Sequence, residues 1–162
     1  MTQNRRVPGA HAADEVSELD KRIIENLQED GRRPYTQIAA DLGVSEAAVR
    51  ARTNRLIERG ILQIVGVTDP LKLGYDQMAL VGVRCRGDQL MAAAEAIGKL
   101  PEVIYVVVTA GAFDLLVETV CRDNEDLLRF LAEQLRQVPG VEATETFVYL
   151  RIVKQTYQLG GL

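Results

Sequence analysis

Between residues 78 and 153 strand-like and helix-like stretches follow one another in a fixed beat, and that order leaves few folds open. The runs are MALVGVRCR (78–86), a helical pattern over 88–100, VIYVVVT (103–109), DLLVETVC (114–121), a second helical pattern over 123–137, and ETFVYLRIV (145–153). The helical stretches carry apolar stripes at Leu90, Ala94 and Ile97, and at Leu127, Leu128, Leu131 and Leu135, each wide enough for one face. Both helices must therefore pack on a sheet. The duplicated βαβ order predicts a four-stranded antiparallel sheet with helices on one side, a ferredoxin-like α+β arrangement. Its second face is then uncovered. Because 103–108 is apolar on both faces, that face predicts a second copy of the chain as its cover.

The first sixty residues obey a different period. Residues 1–14 show no apolar period, carry Arg5, Arg6, Pro8 and Gly9, and read as a mobile arm, either a plain tail or a contact to DNA. Ser17 precedes Leu19, Ile23, Ile24 and Leu27, with Asp20 placed to complete a capping box, so a helix should run to just before Gly31. Pro34 suits the first turn of a second, short helix with Ile38, Ala39 and Leu42 on its inner face and Gly43 as its stop. Ser45 should cap a third helix, EAAVRARTNRLIER, by accepting from the N–H near Ala48, with Val49, Leu56 and Ile57 turned inward. The tight Leu42-Gly43-Val44-Ser45 corner makes the last two a helix-turn-helix. After Gly60, ILQIVGV (61–67) reads as a short strand leading into a connector. The domains are thus expected at 15–65 for the helix-turn-helix, 66–76 for the linker and 77–162 for the α+β domain.

Charge supports a nucleic-acid partner only locally. The chain's formal net charge is −4, whereas phosphate binding calls for Lys and Arg. The third helix nevertheless concentrates Arg50, Arg52, Arg55 and Arg59 against Glu46 and Glu58. An arginine strip in an acidic chain fits a contact to double-stranded DNA confined to one element, or else a solvated helix face. Enzymatic chemistry lacks its parts. The single histidine, His11, lies in the polar tail, no Ser, Cys and His set exists, and no glycine-rich phosphate loop occurs. Cys85 and Cys121 stand apart in apolar surroundings and read as buried free thiols, so neither metal nor cofactor is expected. No apolar run reaches membrane-spanning length and MTQNRRVPGAHAADE lacks a signal peptide's apolar stretch, which gives a cytoplasmic expectation with no membrane partner.

The motifs in their order resemble the Lrp/AsnC, or feast/famine, transcription regulators from Leu19 to about Gln155. The series comprises Leu19-Asp20, Asp30-Gly31-Arg32, Ile38-Ala39, Gly43-Val44-Ser45, Leu56 to Ile61, Leu73-Gly74 and Pro101-Glu102-Val103. It continues with Gly111-Ala112-Phe113-Asp114, Pro139-Gly140-Val141 and Val153-Lys154-Gln155. The resemblance implies a winged helix-turn-helix joined by a β-linker to a ligand-sensing βαββαβ domain. It also implies dimers, often assembled further to tetramers or octamers, that bind a free amino acid. Two positions depart from the pattern: Pro34-Tyr35, where members commonly carry a small capping residue, and Ala112, where some carry a polar one.

For DNA the expected contacts are Ser45, Glu46, Ala47, Arg50 and Thr53 on the solvent side and early turns of the third helix. Arg50 is the foremost base reader, because its fork can pair bidentately with guanine. Arg52, Arg55 and Arg59 suit phosphates or acidic neighbours, and Glu46 suits the helix dipole alone. For the effector the expected residues are Thr109, Gly111 and Asp114 at the turn between the central strands, with Thr146 adding a hydroxyl and Phe113 and Val148 lining a side-chain pocket. An acidic group for the ammonium beside exposed amides for the carboxylate is what a free amino acid requires. Gly111 and Asp114 equally suit a plain hairpin turn. A regulatory amino-acid-binding subunit without DNA binding is the alternative function.

Overall fold

The computed structural model describes residues 16–155, so the expected arm at 1–14 lies outside the described residues. The chain divides into two compact units between Val67 and Thr68.

In the first unit, helix α1 (Glu18–Glu29) opens at Ser17, whose hydroxyl accepts from the Asp20 N–H while the Asp20 carboxylate accepts from the Ser17 N–H. That reciprocal capping box satisfies two donors that a bare helix start would leave open. Helix α2 (Tyr35–Leu42) follows Pro34 and ends at Gly43, whose φ of 67° is the left-handed conformation that lets the chain turn within three residues. Helix α3 (Glu46–Glu58) starts at Ser45, whose hydroxyl accepts from the Ala48 N–H at 3.2 Å, as the local sequence required. The three helices close over Ile23, Ile24, Leu27, Ile38, Ala39, Val49, Leu56 and Leu62. Ile57, expected inward, is 42% exposed, because Val49, Thr53 and Leu56 form the buried stripe instead.

Residues 62–69 carry no regular secondary structure, which corrects the strand expected over 61–67. A strand exists only where a neighbour completes its ladder, and among the described residues nothing pairs with this segment. The expected wing has no strands here either.

The second unit contains β1 (Gln77–Cys85), α4 (Leu90–Ile97), β2 (Val103–Val108), β3 (Leu115–Cys121), α5 (Asn124–Arg129) and β4 (Val141–Val148). The sheet order is β2-β3-β1-β4 and every pairing is antiparallel, as the βαββαβ reading predicted. β4 begins and ends earlier than expected, since it follows β1 from the Cys85–Val141 pair to the Ala79–Val148 pair. α5 does not continue as one α-helix. It passes into a π-helical turn at Phe130–Gln134 and a 3₁₀ turn at Leu135–Gln137, which buries Phe130 and Leu135 and leaves Leu128 63% exposed.

The alternation of β1 assigns the two faces. Ala79, Val81 and Val83, with Leu115, Val117 and Cys121 of β3, meet Ala93, Ile97, Leu127, Phe130 and Leu135 from the helices. The opposite face bears Leu80, Gly82 and Arg84 from β1, Leu116 and Glu118 from β3, and Phe147 and Glu145 from β4. No helix covers it. Tyr149 donates its hydroxyl to Glu118 there at 3.0 Å, and burial together with that carboxylate pushes the phenol pKa up to about 12.

Candidate functional site

Helix α3 presents its arginines unequally. Arg52 Nη1 donates to Asp20 Oδ1 at 3.0 Å, and Arg55 Nη2 lies 3.3 Å from Asp20 Oδ2. Asp20 is only 1% exposed, so its charge survives because Ser17 and the two guanidinium groups surround it. Burial alone would raise its pKa; the bonds from Ser17 and Arg52 outweigh that and hold the carboxyl below its ordinary value. Arg52 and Arg55, expected at DNA, are thus engaged by the head of α1, one of the two alternatives their chemistry allowed. Thr53 corrects the sequence reading outright: it is fully buried beneath α3 rather than on the solvent side, where its hydroxyl has no partner. Its spacing from Val49 and Leu56, i+4 and i−3, was the available signal for an inward position.

Arg50 remains outward, with 59% of its side chain exposed. Its Nη2 reaches Glu46 Oε1 at 2.5 Å, and its guanidinium lies 5.4 Å from the centre of the Tyr35 ring. Ala47 and Ser45 border the same end of α3. Tyr35 was not among the expected site residues, although its departure from the small capping pattern marked the position.

In the second unit, the β2–β3 turn folds across the end of β1. Asp114 N–H donates to the Val83 carbonyl at 2.9 Å, and Asp114 Oδ2 accepts from the Cys85 N–H at 2.8 Å. The bond meets β1 where its register with β4 shifts between Arg84 and Cys85, so Asp114 satisfies a strand amide at an irregularity. One of its two oxygens is thereby taken by the backbone. The Thr109 hydroxyl donates to the Phe113 carbonyl at 2.6 Å, and Arg84 Nε donates to the Ala112 carbonyl at 3.2 Å. Within this closed turn the N–H groups of Ala110, Gly111, Ala112 and Phe113 donate to no group among the described residues. Gly111 itself has open space around it and no positive φ.

Phe113 lies flat against Gly82 on the uncovered sheet face. A Cβ at Gly82 would come within 2.7 Å of the ring. Arg84 sits 5.8 Å from the ring centre on the same face, and Phe147 meets it edge-on at 6.3 Å. Thr146 and Val148 do not join this group. They pair with Val81 and Ala79, whose side chains enter the helix-covered core, so parity puts them on the opposite face of the sheet from Phe113. The turn residues Thr109, Gly111, Phe113 and Asp114 come together; the β4 residues do not. A separate open concavity of about 370 Å³ runs along β4, lined by Arg136, Val141, Glu142, Ala143 and Thr144, and contains none of the turn residues.

Cys85 and Cys121 are buried free thiols, and burial pushes both pKa values up. Among the described residues no three His, Cys, Asp or Glu side chains gather as metal ligands would, and no helix is long and apolar enough to cross a membrane.

A capped, arginine-bearing third helix beyond a glycine corner, followed by a four-stranded antiparallel sheet with helices on one face, is the architecture of a two-part DNA-binding regulator. Comparison with known proteins agrees. The AsnC-type helix-turn-helix domain matches residues 16–57 and the Lrp/AsnC ligand binding domain matches residues 78–159. The chain is 34% identical over 151 residues to the proline dehydrogenase transcriptional activator of Rhizobium radiobacter, covering 91% of this chain and 97% of that one. It is 32% identical over 145 residues to the HTH-type transcriptional regulator FL11 of Pyrococcus horikoshii, covering 89% and 95%. In fold it is similar to AsnC of E. coli, with a TM-score of 0.80 at 24% identity over 86% of this chain and 95% of that one.

The chain belongs to the Lrp/AsnC family. It is a transcriptional regulator with a DNA-binding helix-turn-helix domain, and its relatives are regulators rather than enzymes. The alternative of a sensing subunit without a DNA-binding domain is set aside by the match over residues 16–57.

One expectation follows for the Asp20 cluster. A carboxyl whose pKa falls on folding adds stability that is complete above its unfolded value, 3.8 for an ordinary Asp, and fades as pH falls through its folded value. Asp20→Asn should therefore cost about 1.5 to 3 kcal/mol at pH 7, with the gap between variant and parent closing in strongly acidic buffer. Urea unfolding as a function of pH measures both; a gap that is constant with pH would deny Asp20 its charge-dependent role.

Proposed function

We propose that this regulator reads a specific DNA sequence through α3 and changes its affinity when an amino acid binds at the β2–β3 turn. The observation that carries the effector half is the set of four N–H groups at 110–113, without protein partners among the described residues, beside Asp114. Those amides suit a carboxylate. Asp114 Oδ2 is committed to Cys85, which leaves Oδ1 for an ammonium group. Phe113 supplies the neighbouring apolar surface. Two regulators of the same fold support the ligand class by their own complexes: the regulator of Neisseria meningitidis with L-methionine, and the feast or famine regulatory protein of M. tuberculosis with L-methionine.

On the DNA side Arg50 is the base reader, with Ser45, Glu46 and Ala47 at the same end of the helix. Arg52 and Arg55 act chiefly by holding α3 on α1. The uncovered sheet face, with Phe147 45% exposed and Tyr105 55% exposed, is assigned to a second copy, and dimers to higher assemblies. The division into arm, helix-turn-helix, linker and sensing domain at 1–14, 15–65, 66–76 and 77–162 belongs to the same reading.

Four measurements test it. A thermal-shift screen with the twenty amino acids should find a stabilising ligand, worth about 2.7 kcal/mol at a hundredfold excess over Kd. Asp114→Asn retains an oxygen for the Cys85 amide but loses the charge, so affinity for that ligand should fall by about 1.5 to 3 kcal/mol while folding persists; an unchanged Kd rejects the ammonium role. Light scattering of the full chain at micromolar concentration should report at least twice the monomer mass, and a monomer would remove the assembly assignment. For DNA, Arg50→Ala should cost about 1 to 3 kcal/mol on the preferred site and relax one position, whereas equal loss on unrelated DNA would make Arg50 a phosphate contact.

A further inference from the structure

Arg50 does not hang freely from α3. Its guanidinium is held between a carboxylate one turn earlier on its own helix and an aromatic ring at the start of the preceding helix. The Tyr35 ring is half buried and packs against the core of the three-helix unit. It therefore offers a fixed surface, not a second mobile side chain. A guanidinium over an aromatic face is attracted by the ring quadrupole, and stacking restricts the plane of the fork. Glu46, held in the first turn of α3, takes one of the five guanidinium N–H donors and leaves the others for a second partner.

We propose that Tyr35 and Glu46 form a seat that orients Arg50, making Tyr35 a specificity-determining residue of the DNA-reading surface. The inference rests on Arg50 being the base reader. Guanine offers two acceptors in one plane, so a fork already held in a plane loses less freedom on binding than a free one. Glu46 acts in a different way. By neutralising the guanidinium it reduces the pull of any phosphate, and it thereby lowers affinity for unrelated sequences more than affinity for the preferred one. The ring contributes order and the carboxylate contributes discrimination against the backbone. Both devices lie in this chain's own Pro34-Tyr35 and Ser45-Glu46 helix starts.

The test uses the full-length chain with a randomised duplex library, sequenced before and after binding. Kd is then measured across salt concentrations on the enriched duplex and on a scrambled duplex of the same composition. Arg50→Ala identifies the position that Arg50 reads. Tyr35→Leu, which keeps apolar packing and removes the π face, should weaken preference at that position by about two- to fivefold. It should leave the scrambled duplex and its salt slope unaltered, and Tyr35→Phe should restore the parent preference. Glu46→Gln should bind the scrambled duplex more tightly, with a salt slope steeper by about one unit, and discriminate less.

Unchanged preference in Tyr35→Leu, or a loss shared by every position and by the scrambled duplex, overturns the role of the ring. Should that variant fail to melt cooperatively, Glu46→Gln on its exposed side chain still decides, and an unaltered slope with unaltered preference overturns the seat. An Arg50→Ala variant that loses equally on both duplexes removes the base reader itself and the seat with it. That result is distinct from an Arg50→Ala variant that relaxes one position while the Tyr35 and Glu46 variants are silent, which leaves the base reader standing and rejects only its seat.

Discussion

A single buried carboxylate ties the head of α1 to the middle of α3. Asp20 accepts from Ser17 to start its own helix and from Arg52 and Arg55 to hold the recognition helix. Remove it and two helices lose a common anchor, while two arginines of α3 regain freedom. Its burial is tolerable because every direction of approach is occupied by a donor. The orientation of α3, and with it the direction in which Arg50 leaves the helix, is fixed by this group together with the apolar residues beneath it. Hydrophobic packing is forgiving in direction, whereas a charge-assisted fork is not.

Much of this was legible before any coordinates. The capping serines Ser17 and Ser45, the stop at Gly43 and the βαββαβ order are local or periodic features, and local rules reach them directly. The errors share a different origin. Thr53 was judged by its polarity, while its spacing in the helix governs where it points. Asp114 reads from sequence only as an acid at a turn, while its partner is a backbone amide on β1, 29 residues away, which no local pattern reveals. Thr146 and Val148 were grouped with Phe113 by chemistry, but register against β1 determines the face, and one residue of register exchanges the two faces. The segment 61–67 has strand composition and no ladder partner among the described residues, so composition alone misled.

The two proposed surfaces are built by contrasting means. On α3, side chains are held by other side chains, Arg50 by Tyr35 and Glu46, Arg52 and Arg55 by Asp20. At the β2–β3 turn, the unpartnered groups are backbone amides, while the Thr109 hydroxyl and one Asp114 oxygen fix the turn itself. A side-chain surface can be respecified by substitution. On the proposed reading, a backbone surface would recognise what all amino acids share and leave selection among them to neighbours such as Phe113.

The contact between Phe113 and Gly82 joins two properties that the chain keeps apart elsewhere. The ring belongs to the β2–β3 turn by sequence and to the open sheet face by position, since no side chain stands between it and the backbone of β1. On the proposed reading, a second copy on that face would meet a ring whose placement also belongs to the turn. Two binding events that shared one group in this way would be coupled reciprocally: the factor by which a ligand at the turn altered association would be the factor by which association altered affinity for the ligand. The missing Cβ of Gly82 would then be where occupancy and assembly share a single free energy.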